Sequence, residues 1–305
     1  MRITFIKILK EAARKNKDIF LLTADLGTFF GDFIKDCPKQ FIDVGIAESN
    51  MIGMAAGMAL AKKNVYCYSI IPFLTMRPLE QIKVGLCAHN LNVKLLGAGG
   101  GFAYGLEGMT HHAIEDIAIM RSLPNMTVVA PGDLLEAKAI AKESVNYKGP
   151  LYIRFGQDKT PNIHKNSTKI KIGKGIILNK GNKIALIATG SMLSPAKIVC
   201  DNLTSQGIST TLISMHTVKP LDVNLIKKIL RHKAIFTIEE HSIIGGLGSA
   251  VAETLLELNY KGLFKRIGLP DEYSCYKGNH DYLCKKYCLT PETIINKILK
   301  FNKKI

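Results

Sequence analysis

Two short stretches carry side chains suited to moving a proton. In FIDVGIAESN, one carboxylate, Glu48, stands between an apolar run and a long series of small residues. Helix-start electrostatics alone would explain an acid there, because first-turn N–H groups favour negative charge. In GLEGMTHHAIED, Glu107, Thr110, His111, His112, Glu115 and Asp116 follow one another closely. Thr110 as a helix cap, with Glu115 and Asp116 in an early turn, accounts for most of that cluster. It does not account for two adjacent histidines, whose titration near neutrality suits proton transfer and hydroxyl binding.

Other chemistries lack their signatures. There is no G-x-S-x-G elbow and no G-x-x-x-x-G-K-[ST] loop. LLGAGGGFAYG follows an apolar run as a dinucleotide loop would, but Phe102 stands where the third glycine belongs. IEEHSIIGGLGSA reads as strand, turn and helix, with glycines that let the helix start pack tightly on a sheet. A nicotinamide-dependent dehydrogenase is therefore disfavoured. Cys275, His280, Cys284 and Cys288 lie close together, yet they form no C-x2-C pair or finger spacing, and ordinary thiols are the expected reading.

The elements that must position these groups follow from composition and pattern. The 305 residues are 47% hydrophobic and 22% charged, enough for a large core and, by length, two domains. The net charge of +16 comes from lysines spread along the chain, dense only in KGNK and KILKFNKKI, which read as a loop and a solvated helix face. With 7% aromatics and no Trp, stacking platforms for nucleic acid are not expected, whereas a positive field suits an acidic substrate. The opening MRITFIKILKEAARKNKD reads as an amphipathic helix with Phe5, Ile8, Leu9 and Ala12 on one face. No apolar span approaches the ~20 residues a membrane helix needs, and no secretory signal pattern is evident. A cytoplasmic protein is expected, without membrane or nucleic-acid partners. Seven cysteines, an odd number irregularly spaced, fit reduced thiols.

Short apolar runs alternate with helical patterns along the chain: IFLLTADLG, QFIDVG, ESNMIGMAAGMALAKK, NVYCYSII, RPLEQIKVGLCAHN, VKLLGAG, AIEDIAIMRSLP, MTVVAP, DLLEAKAIAKESVN and LYIRFG. Such alternation predicts an α/β fold, a mostly parallel sheet with helices on both faces. Periodicity stops around QDKTPNIHKNSTK, and a second alternating unit begins at KIALIATG, with STTLISMHTVKP as one of its strands. The expected organisation is a first domain over 1–156, a linker over 157–174 and a second α/β domain over 175–305. The small residues Gly53, Ala55, Ala56, Gly57 and Ala59 predict a helix face in close contact with a neighbouring subunit or sheet.

Taken in order, DVGIAESNMIGMAAGMA, FLTMRPLEQIK, EGMTHHAIEDIAIMRSLPNMTVVAPGD and IRFGQ resemble the pyrimidine-binding domain of transketolase-like thiamine-diphosphate enzymes. ATGS, HTVKPLD and EEHSIIGGLGSAVAE are similar to that family's C-terminal domain, so the resemblance covers essentially the whole chain. It is strongest to the C-terminal polypeptide of a split transketolase, and nearly as strong to the matching half of 1-deoxyxylulose-phosphate synthase. The Gly-Asp-Gly…Asn domain that holds the diphosphate and its metal has no counterpart here, since FGDF at Gly31–Asp32 lacks the following glycine.

The resemblance therefore implies a separate N-terminal subunit, an α2β2 assembly, thiamine diphosphate at the interface, and Mg2+ or Ca2+ held mainly by that partner. The implied reaction moves a two-carbon ketol unit between sugars or sugar phosphates. Glu48 would hydrogen-bond the pyrimidine ring nitrogen, so that the exocyclic nitrogen takes the proton from the reactive carbon. Phe73 would stack on the pyrimidine, with Asp25 and Met76 near the cofactor. His111 and Glu107 would face the substrate, and Arg154 would hold a sugar phosphate. Ser49 stands where the family has Gln or His, Glu107 where it has Asp, and Gly99 where it has a phosphate-binding histidine. Alternatives are a pyruvate-decarboxylating carboligase subunit and a non-catalytic interaction module of the same fold.

Overall fold

The computed structural model describes residues 1–157 and 160–302. Twelve strands are formed among them: β1 Ile19–Thr23, β2 Phe41–Asp43, β3 Asn64–Ile70, β4 Val93–Ala98, β5 Thr127–Val129, β6 Leu151–Phe155, β7 Ile176–Asn179, β8 Ile184–Ala188, β9 Thr210–Ser214, β10 Thr217–Lys219, β11 Ala234–Ser242 and β12 Leu263–Leu269. The helices are α1 Arg2–Lys15, α2 Gly31–Asp36, α3 Glu48–Leu60, α4 Ile71–Met76, α5 Leu79–Gln81, α6 Asp116–Ser122, α7 Leu134–Ser144, α8 Leu193–Ser205, α9 Val223–Lys228, α10 Leu247–Glu257, α11 His280–Lys286 and α12 Pro291–Asn302. A π-helical stretch, Ile82–Cys87, continues from α5. No described helix is long and apolar enough to cross a membrane.

The strands form two sheets, in the orders β10-β5-β6-β4-β3-β1-β2 and β12-β11-β8-β9-β7. All pairings are parallel except β10 with β5 and β7 with β9. Strands covered on both faces read as continuous apolar runs, because alternate side chains both meet helices. Strand β3 illustrates this: Val65 and Cys67 join Met51, Ile52 and Ala55 of α3 and Leu74 of α4, while Tyr66 and Tyr68 join Phe5 and Leu9 of α1 and Ala137 of α7. The first of these cores runs on into the second sheet through Ile187, Ile213, Met215, Leu247 and Val251. Each such buried side chain contributes about 1.5–3 kcal/mol relative to exposure. The two halves are thus packed together as well as joined.

Residues 209–220, expected as one strand of the second unit, divide into β9 and β10, and β10 pairs with β5 of the first sheet, Thr217 opposite Val129. His216 lies between them. Its ring lies 3.3 Å from the Glu136 carboxylate of α7, with both side chains fully buried. Burial disfavours the imidazolium, but the Glu136 charge outweighs it and holds the His216 pKa above its ordinary value. The Ser214 hydroxyl at the end of β9 donates to the same carboxylate, so Glu136 is held at the point where the chain passes from one sheet to the other. Two glycines permit close approaches that bear on the sites below. A Cβ at Gly97 on β4 would lie 2.6 Å from Ile71, so glycine lets α4 lie against the sheet. A Cβ at Gly246 would collide with the Glu239 carboxylate, which accepts the Leu247 and Gly248 N–H groups at the start of α10, each at 2.7 Å.

Candidate active site

Loops beyond the carboxyl ends of parallel strands are where ligands meet such sheets, and several of the chemistry-bearing residues stand there. The loop after β2 delivers Glu48 as the first residue of α3. The turn from β3 into α4 delivers Phe73, and β1 leads through Ala24 to Asp25. Because β1 lies between β2 and β3, Asp25 belongs to the same edge as the other two.

Glu48 is buried, its side chain 5% exposed, yet the carboxylate is not isolated. Arg77 Nη1 donates to both Oε1 and Oε2, each at 3.0 Å. The Arg77 guanidinium also lies 4.1 Å over the Phe73 ring centroid. Ser49 Oγ donates to the Arg77 carbonyl at 3.4 Å and so ties the start of α3 to the same segment. Phe73 also meets His111 in an edge-to-face contact, with ring centroids 5.0 Å apart and planes at 76°. Thr110 Oγ1 lies 3.0 Å from His111 Nδ1. Glu48, Phe73 and His111 are therefore gathered at one place, with Arg77 between the acid and the aromatic ring. Met76 follows Phe73 by one helical turn on α4 and is 40% exposed.

The adjacent histidines separate in space. His111 is partly exposed beside Phe73, whereas His112 is buried edge-on to Phe102. Burial lowers the His112 pKa despite the nearby Gly105 carbonyl, which makes it a neutral packing residue. Glu107 is exposed and lines a cavity of about 550 Å3 between the two halves, shared with Gln157, Ser191, Asn279 and His280.

Asp25 is exposed, with φ of +57°. Its own N–H and those of Gly27 and Gly45 donate to the Asp43 carboxylate, so Asp43 organises the turn that Asp25 occupies.

Arg154 departs from its expected place. It is 2% exposed, its Nε donates to Asp116 at 2.8 Å, and its Nη2 donates to the Ala113 and Glu240 carbonyls. Tyr152 Oη also donates to Asp116, at 2.7 Å. The reason is position: Arg154 lies inside β6, a strand covered by both cores, so its guanidinium must find partners within the protein. Its guanidinium is engaged by Asp116 and two backbone carbonyls of this chain.

Sequence reasoning passed over Arg77, although its presence four residues after an aromatic on a short helix was the available signal. The C-terminal group of Cys275, His280, Cys284 and Cys288, read as ordinary thiols, divides in space. Cys275 and Cys288 are exposed, while His280 and Cys284 meet Glu240 of β11, forty residues earlier in the chain.

Comparison with known proteins gives the family of the chain. The family model "Transketolase, pyrimidine binding domain" matches residues 1–162, and "Transketolase, C-terminal domain" matches 173–294. The chain is 38% identical to an apulose-4-phosphate transketolase subunit from Phocaeicola vulgatus, over 99% of this chain and 97% of that protein. It is 36% identical to a 6-deoxy-6-sulfo-D-fructose transketolase subunit of a Clostridium species, over 97% of this chain and 92% of that one. Among solved structures, a split-gene transketolase described as an inactive beta4 tetramer superposes with a TM-score of 0.90 at 35% identity, covering 98% of this chain and 97% of that chain.

Proposed function

Since the chain belongs to the transketolase family, as the C-terminal subunit of a split enzyme, we propose that it supplies half of an active site completed by a separate N-terminal subunit. That family depends on thiamine diphosphate, and the diphosphate and its Mg2+ or Ca2+ ion fall to the partner in this reading. An α2β2 assembly in the cytoplasm, where seven free thiols stay reduced, accommodates both chains.

The single observation that carries the proposal is the Arg77 guanidinium. It is a planar, cationic N–H donor stacked on Phe73 and bonded to both oxygens of Glu48. A protonated aminopyrimidine offers the same features: a flat face for the ring and N–H donors in its plane. The residues present therefore fit the pyrimidine half of the cofactor. In the bound state the cofactor supplies an electron sink for the carbon–carbon bond that breaks. Glu48 holds a proton at the pyrimidine ring nitrogen, and its burial keeps water from competing for that bond. Phe73 fixes the plane of the ring, with Met76 and Asp25 on the same edge. His111, beside Phe73, binds a donor hydroxyl or carbonyl and passes a proton to it; Glu107 reaches the substrate from the neighbouring loop.

Subunit contact has its own support. Gly53 and Gly57 of α3 are exposed and face open space, so nothing among the described residues requires them to lack a side chain, whereas a helix docking from outside does. Ile46, Met76 and Met109 add exposed apolar surface to this half-site. The substrate is a sugar or sugar phosphate; the anion, if present, is gripped by groups other than the buried Arg154.

Titrating thiamine diphosphate with Mg2+ into this chain, into the partner and into their mixture tests the assembly. Tight binding is expected only in the mixture, and tight binding to this chain alone would sink the split arrangement. Arg77 must leave Glu48 for the cofactor to enter. A half-exposed ion pair with a cation–π contact is worth about 1 kcal/mol, so Arg77→Ala is expected to tighten cofactor binding to the complex by about fivefold. Unchanged affinity would show that Arg77 and cofactor do not compete.

A further inference from the structure

A second cluster of reactive side chains lies in the other half of the molecule and takes no part in the chemistry above. Strand β11 carries Glu240, and α11 carries His280 with Cys284 one turn later. His280 Nε2 lies 3.0 Å from Glu240 Oε1 and 3.5 Å from Cys284 Sγ. One ligand atom from each of the three residues lies within 4.8 Å of the other two. Around a tetrahedral zinc ion, with bonds of about 2.0–2.3 Å, neighbouring N, O and S atoms stand about 3.3–3.6 Å apart. Both separations from His280 are close to those values, and Glu240 and Cys284, whose ligand atoms lie within 4.8 Å of each other, draw together to share one ion. An imidazole, a thiolate and a carboxylate form a borderline-soft donor set that suits Zn2+ and disfavours Mg2+ or Ca2+.

The surroundings are those of a held site. Glu240 is fully buried and is fixed from two sides: Phe102 N–H donates to Oε1 at 2.7 Å, and the Ser191 hydroxyl donates to Oε2. Cys284 is buried as well. The other ring nitrogen of His280 lies 3.6 Å from the carboxylate of Asp281, which is fully exposed. His280 and Ser191 also line the 550 Å3 cavity between the halves, so one side of the cluster opens to it.

We propose that Glu240, His280 and Cys284 bind one zinc ion, with the fourth coordination position open to the interdomain cavity and taken by water. On binding, the imidazolium and the thiol each lose a proton to solvent, and the carboxylate turns from His280 to the metal. The ion would clamp α11 to β11 beside the loop that carries Phe102 and Glu107. This site does not depend on the thiamine reading, since none of its ligands contacts Glu48, Phe73 or His111.

Cobalt is the probe. The chain, stripped of metal with a chelator and desalted, is titrated with Co2+ under reducing conditions. About one equivalent is expected to produce a thiolate-to-cobalt charge-transfer band and the strong visible absorption of four-coordinate cobalt, both displaced by Zn2+. Cys284→Ser is expected to abolish the charge-transfer band and His280→Ala to weaken binding more than tenfold, while the double change Cys275→Ser, Cys288→Ser leaves the spectrum intact. No band in the unmodified chain would overturn the proposal without recourse to any variant. A band that survives Cys284→Ser, or disappears only with Cys275 and Cys288, would overturn it too.

Discussion

Glu48→Gln is expected to lower kcat of the reconstituted complex by about a thousandfold, within the range for losing a positioned acid–base group. Glutamine keeps the volume and one hydrogen-bonding oxygen but cannot carry the proton that the pyrimidine nitrogen must exchange. Little else should change. Glu48 is the first residue of α3, where an acid contributes about 0.3–1 kcal/mol through the helix N-terminus, so the subunit should still fold and assemble. The substitution also removes the charge that holds Arg77, so any obstruction to cofactor entry is relieved rather than increased. The measurement is steady-state turnover of the mixed subunits, with assembly followed by sedimentation and cofactor binding by titration. Loss of turnover with assembly and binding retained supports the proton role. Turnover near that of the unmodified complex would remove Glu48 from the mechanism, and loss of assembly would make it a packing residue.

Parts of this site were legible in the sequence because each part is a local pattern. Glu48 follows a strand and opens a helix, and the structure keeps that junction. Phe73 follows β3 directly, and His111 sits in the loop before α6. Alternating apolar runs also marked β1 to β6, β8, β9 and β11, since a parallel sheet covered on both faces imposes them, but not β7 or β12.

What was not legible depends on residues distant in sequence. Arg77 acquires meaning only when α4 is laid on Gly97 beside the start of α3, which brings its guanidinium to a carboxylate twenty-nine residues away. His280 and Cys284 looked like half of a cysteine cluster, and their third member lies on β11. β10 changes sheet next to a buried imidazole–carboxylate pair that no periodicity encodes. Arg154 is the converse case. A motif resemblance assigned it to an anion, but the strand carrying it runs through the core, and burial selects a different partner.

That partner leads to the second large effect. Asp116→Ala is expected to destabilise the chain by about 3–5 kcal/mol, the cost of leaving a buried charge without its counter-ion. Asp116 is fully buried and accepts from both Arg154 Nε and Tyr152 Oη. Its removal strands a guanidinium that is itself 2% exposed, and that guanidinium ties β6 to the Ala113 carbonyl and to Glu240 of the second half. Arg154→Met should cost a similar amount, because it leaves the carboxylate behind. Combining the two changes removes both charges, so the double variant should be markedly more stable than the sum of the single losses implies. Urea unfolding of the four proteins measures this coupling directly. If Arg154 instead served a sugar phosphate, Arg154→Met would unfold at the same urea concentration as the unmodified chain and show its defect only as a raised KM in the assembled enzyme. Additive losses, with no recovery in the double variant, would likewise mean that the two side chains do not act as a pair.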